Sequence, residues 1–108
     1  MGVIQMLLMC SNKVIAYQGK IDNKPVMIKV PDVEDWRFPY KLFPDGQNYI
    51  SVYDFGNWAK QRCFPRERVD CKKLLNELEL ERYDRWEIVK KTNAVLFGRD
   101  KFWIDFTK

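Results

Sequence analysis

The chain has 108 residues with 46% hydrophobic and 15% aromatic content, enough for one folded core and far from the composition of a disordered tail. Nineteen Lys and Arg against fifteen Asp and Glu leave a net charge of +4, and the two signs are largely interspersed, which argues against a concentrated basic nucleic-acid face and against an acidic DNA mimic. The absence of histidine excludes His-based acid–base catalysis, Ser–His and Cys–His nucleophile pairs and every His-ligated metal site.

Three cysteines, Cys10, Cys63 and Cys71, form no C-x-x-C pair, and an odd number is not a disulfide framework. Reduced thiols in a cytoplasmic protein are expected. The apolar run 6–10 is too short for a signal sequence, and no stretch approaches a membrane span.

In chain order, residues 3–10 read as an apolar strand and 14–18 as a second. Asp22-Asn23-Lys24-Pro25 gives a turn, and 26–30 is a third strand with β-branched residues alternating. An antiparallel meander is the simplest arrangement. Over 31–50, Trp36, Phe38, Tyr40, Leu42 and Phe43 are apolar while Pro39, Pro44 and Gly46 interrupt any helix. That spells a loop pinned by aromatics, with a short edge strand permitted over 38–42 and a turn at Pro44-Asp45-Gly46.

The second half turns helical. Ser51-Val52-Tyr53-Asp54 reads as a capping box, followed by Val52, Phe55, Trp58 and Ala59 at helical spacing. Asp54-Phe55-Gly56 spells the metal-binding triplet of protein kinases, but no Gly-rich phosphate loop or catalytic loop accompanies it, so a packed helix start is the reading. Arg62-Cys63-Phe64-Pro65-Arg66-Glu67-Arg68 joins this helix to a second. Pro65 suits a first helical turn, and Val69, Cys71, Leu74, Leu75 and Leu78 form the apolar stripe. A third helix opens at the capping box Asp84-Arg85-Trp86-Glu87, carries Lys90 and Lys91 in its last turn and stops at Asn93. Residues 94–97, the turn Gly98-Arg99-Asp100 and 101–106 predict a terminal strand or hairpin. The fold expected is a single α+β domain over 1–108: an N-terminal antiparallel meander, three helices and a C-terminal strand or hairpin. Trp58, Leu74, Leu75, Leu78, Ile88, Val89 and Trp103 should share its core.

The basic joint is the candidate working surface. Lys60, Arg62, Arg66, Arg68, Lys72 and Lys73 crowd it, against Glu67 and Asp70, and Arg62, Arg66, Arg68, Lys72 and Lys73 are the candidate partner contacts. Arginines in a first helical turn oppose the helix dipole, so they either pair internally or hold an anion or a partner's carboxylate. A helix-turn-helix reading is weakened by Glu77, Glu79 and Glu81 on the second helix, which lacks the Arg/Asn/Gln row that reads base edges. The same carboxylates with Asp84 form a solvated helix end more readily than a glycosidase-like pair, because Lys72, Lys73 and Arg82 lie in reach.

The ordered set Trp58, Arg62-x-x-Pro65-x-x-Arg68, Leu74-Leu75-Asn76-Glu77-Leu78, Trp86-Glu87-Ile88-Val89-Lys90-Lys91-Thr92-Asn93 and Asp100-Lys101-Phe102-Trp103-Ile104 resembles the N-terminal, non-catalytic segment of Firmicutes HipA-like proteins and their small stand-alone relatives. The resemblance covers about residues 55–106. Ala94-Val95-Leu96-Phe97-Gly98 departs from the more usual G-L-S-L-S, and the 108 residues hold no kinase-like domain. The resemblance implies an accessory or regulatory module with no catalytic residue to carry over. The expectation is therefore a small non-catalytic regulator acting by protein–protein binding, without cofactor or metal. The alternatives are a phage- or mobile-element-encoded inhibitor of a bacterial defence nuclease, of the anti-CRISPR type, and a weak nucleic-acid-binding regulator.

Overall fold

The computed structural model describes residues 5–44, 46–95 and 100–107. Five strands, β1 (Gln5–Cys10), β2 (Lys13–Ile21), β3 (Lys24–Lys29), β4 (Tyr49–Ser51) and β5 (Phe102–Thr107), make one antiparallel sheet in the order β4-β3-β2-β1-β5. Three helices follow β4: α1 (Val52–Lys60), α2 (Cys71–Glu77) and α3 (Arg85–Thr92). This is the α+β class expected, and β1–β3 are the meander. Val3 and Ile4 of the predicted first strand lie outside the described residues.

The strands run further into the β2–β3 turn than the sequence suggested. Asp22 and Asn23 both take positive φ, 53° and 65°, the demand of a two-residue hairpin turn, and short polar side chains tolerate it best. Pro25 then sits inside β3 without breaking it. Val30 N–H bonds Ile15 O, so alternation makes the even residues of β3 bond β2 and turns the odd ones toward β4. Pro25 is odd, and β4 ends with Ser51 opposite Val26. The proline's missing donor therefore faces no partner strand. A bulge separates Leu8↔Ala16 from Met9↔Val14. The extra residue, Ile15, lets both Ile15 and Ala16 be fully buried.

One sheet face carries the core. Met6, Leu8, Ala16, Met27, Ile50 and Ile104 pack there with Phe55 and Ala59 of α1 and Val89 of α3. Ser51 caps α1, its Oγ accepting from Asp54 N at 3.0 Å. Asp84 caps α3, its Oδ1 accepting from Trp86 N and Glu87 N. Glu87 does not complete a reciprocal box but pairs with Lys90 at 2.7 Å. Asn93 ends α3 in the left-handed conformation, as its residue type predicts.

Several expectations need correction. Pro65 does not open a helix: 65–70 are turns and α2 starts at Cys71, so Arg66 and Arg68 lie on a connector. Val69 is fully exposed instead of lying on an apolar stripe. The three-helix core is really a sheet with two helices, since α2 buries only Leu75 and stands outside the main cluster, with Leu74 and Leu78 half-buried. Trp103 faces the opposite side of the sheet. It lies across from Met9, and its Nε1–H donates to Ser11 O at 2.8 Å, while its neighbour Ile104 turns inward.

Of the aromatics expected to pin the 31–48 loop, Phe38 and Phe43 do so, whereas Trp36 and Tyr40 are exposed. Phe38 meets Phe43 edge-on at 5.5 Å, and the Lys29 ammonium lies 4.8 Å and 5.3 Å from their ring centres. Asp45 lies outside the described residues, and Gln47 N–H on Pro44 O closes that turn. The edge strand is at Tyr49–Ser51, not over 38–42. At the C-terminus the described residues form the single strand β5. Residues 96–99, which a hairpin would require, lie outside them.

Candidate binding surface at the basic corner

Arg62 follows the last turn of α1 and is 7% exposed. A buried guanidinium needs partners for its nitrogens, and here each of the three has at least one. Nε donates to Ala94 O at 2.6 Å. Nη1 and Nη2 fork onto the two carboxylate oxygens of Asp100 at 2.9 Å and 2.6 Å, and Nη2 also reaches Phe102 O at 2.9 Å. Its plane lies 4.8 Å from the Trp58 ring centre. The hydrogen bonds from Arg62 hold the Asp100 carboxyl below its ordinary value, against a smaller opposing effect of burial.

The same contacts close a sheet edge. Ser11 N–H bonds Lys101 O, so by alternation Phe102, Ile104 and Phe106 turn their backbone groups away from β1. Phe102 O is taken by Arg62 and Phe102 N by Asp100 Oδ1. Ile104 N–H donates to Asn93 O, and Asn93 Nδ2 donates back to Ile104 O. Asn93 thus acts as a one-residue strand partner. An edge that would template another chain is blocked along most of its length.

The remaining predicted site residues face solvent. Arg66 is exposed, its guanidinium 5.0 Å from the Tyr83 ring centre. Arg68 is exposed and makes one 2.6 Å bond through Nε to Asp70. Lys72 and Lys73 are exposed on α2 and form no ion pair among the described residues. Arg62 is therefore removed from the candidate partner-contacting set, because it is buried and each of its three nitrogens bonds inside the chain.

Tyr83, Asp84, Arg85 and Trp86 join the corner, where the sequence reading had placed Lys60 and Arg66 but not these four. Together the six line a concavity of about 520 Å³. Tyr83 is fixed by its hydroxyl donating to Phe64 O at 2.6 Å, with the two rings edge-on at 5.9 Å. Beside it, burial pushes the Cys63 thiol above its ordinary value, opposed by Arg85, and Cys63 Sγ donates to Arg85 O at 3.1 Å. The capping box at Asp84 was legible, but nothing local signals that its Arg85 folds back toward Arg66. Among the described residues no three Cys, Asp or Glu side chains gather to hold a metal ion, and no helix is long and apolar enough to cross a membrane.

Comparison with protein-family models, with curated proteins and with solved structures returned no match.

Proposed function

We propose that the protein is a small non-catalytic regulator that acts by binding another protein, and that the basic corner is its contact surface. The observation that carries this reading is the division of labour among the arginines. Arg62 is spent on holding the corner rigid, while Arg66, Lys72 and Lys73 stand exposed without a carboxylate partner among the described residues. Exposed, unpaired cations on a fixed framework suit an acidic partner surface, giving orientation and fast association. Arg68 contributes less, since Asp70 already neutralises it. Duplex DNA is the poorer fit. Four exposed cations on one corner give a short electrostatic footprint, and Glu77 and Glu79 lie exposed beside them.

Immobilised protein should capture a specific protein partner from cells that encode it. The variant combining Arg66→Ala, Lys72→Ala and Lys73→Ala should lose that capture at least tenfold with its melting temperature unchanged. Undiminished capture by this variant contradicts the assignment. So does sequence-selective duplex binding that persists at physiological salt.

A further inference from the structure

The concavity beside α3 has a charge pattern that the exposed corner alone does not explain. Lys60 comes from the end of α1, Arg66 from the connector and Arg85 from the first residue of α3. The sole carboxylate among the lining residues is Asp84, and its Oδ1 is committed to the amides of Trp86 and Glu87. None of the three cations forms an ion pair among the described residues. Three like charges around one small opening repel one another, and Arg66 is only partly relieved by the Tyr83 ring. The walls are already fixed. Tyr83 is anchored on Phe64 O, and Trp86 is held edge-on to Phe106 at 5.9 Å. An anion that enters meets walls already in place and has only the cationic side chains to order around it.

We propose that this concavity receives a phosphate monoester carried on a side chain of the protein partner. The proposal rests on the protein-binding reading above and gives that partner its chemistry. Three cations against one carboxylate leave two positive charges, which a phosphate monoester matches with its charge of about −1.5 to −2 near neutral pH. A single carboxylate neutralises half of that. A phosphodiester backbone spreads single charges along a track and does not concentrate them in one opening. The two guanidinium groups supply the planar forks that suit phosphoryl oxygens. Tyr83 and Trp86 supply apolar surface for the carbon body that bears the group.

The test is an amide NMR titration of the whole chain with phosphoserine and phosphotyrosine, run beside glutamate and a single-stranded oligonucleotide. The phospho-amino acids should shift the amides of residues 83–87 saturably. Their binding should strengthen from pH 5 to 7.5 as the second phosphate proton leaves near pH ~6. Arg66→Ala and Arg85→Ala should each weaken it about tenfold, the size expected of one charge-assisted contact, and Lys24→Ala should not. Melting curves verify that each variant is folded, and Arg85→Gln replaces an alanine variant that is not. Absence of saturable shifts, equal binding of glutamate, tighter binding of the oligonucleotide at the same residues, or indifference to both arginine substitutions overturns the proposal. Protein capture that depends on Arg66 without any phospho-amino acid binding sinks the phosphate and spares the protein-binding reading. Phospho-amino acid binding with no captured protein counts against that reading and, with it, against a protein as the carrier.

Discussion

Arg62 shows how one side chain can decide what its neighbours are free to do. Its four hydrogen bonds reach 32 to 40 residues along the chain and end on two backbone carbonyls and one carboxylate. A lysine there keeps the charge but not the planar fork, and it leaves buried acceptors unpaired. The partner carboxylate gives a pH signature. Because Asp100 titrates below its ordinary value when folded, the ion pair's stability contribution is complete above the unfolded carboxylate value of about 4 and is lost as pH falls through the lower folded value. Melts of the wild type and Asp100→Asn should therefore differ by a constant amount near neutrality. The difference should shrink below about pH 4. A difference that widens with acid would contradict the pairing. Asp100 is 31% exposed at its side chain, so solvent reduces the size of the effect without changing its sign.

Among the elements, α1 and α3 hold the sheet and α2 rides outside. Phe55 is fully buried in the main cluster, whereas Leu75 is the one buried residue of a seven-residue helix. Phe55→Ala should cost about 3–5 kcal/mol and Leu75→Ala nearer ~2. Urea midpoints rank the two, and an equal or larger loss at Leu75 would restore the three-helix core. What the sequence made legible was local in origin. Alternation gave the meander, Ser51 and Asp84 gave the helix starts, and Asn93 gave the stop, because each acts within one turn of itself. The connector 61–70 was misread for the same reason. Pro65 has a local preference for a helix start, but a distant clamp on Arg62 fixes the chain's path before Pro65 is reached. β4 escaped notice because three residues carry too little periodicity, and Trp103 was assigned the wrong face because its size outweighed the alternation that puts Phe102, Ile104 and Phe106 on one side and Trp103 with Asp105 on the other. The candidate surface was half legible. The cluster of cations was visible, but which arginine is buried and which residues fold up beside Arg66 depend on contacts some 20 to 40 residues apart.

At the scale of the molecule, the two sheet edges differ. The β5 edge is closed by Arg62, Asp100 and Asn93, and the β4 edge is short, with three residues before α1 begins. Around that short edge the chain exposes Trp36, Tyr40, Tyr49 and Tyr53. The basic corner stands apart from these aromatics in sequence, on the segment that Arg62 fastens to both β5 and the turn after α3. The central claim is that Arg62 builds this corner and Arg66 uses it. Chemical denaturation of Arg62→Lys, Arg66→Ala and Arg68→Lys, with partner capture measured on the same three preparations, tests it most directly. Arg62→Lys should lose roughly 2–4 kcal/mol, since breaking a buried pair is costly even when the charge remains. Arg66→Ala and Arg68→Lys should stay within about 0.5 kcal/mol of the wild type, as exposed substitutions do. Arg66→Ala should lose capture. Wild-type stability in Arg62→Lys, or a large loss of stability with intact capture in Arg66→Ala, would show that the roles are reversed.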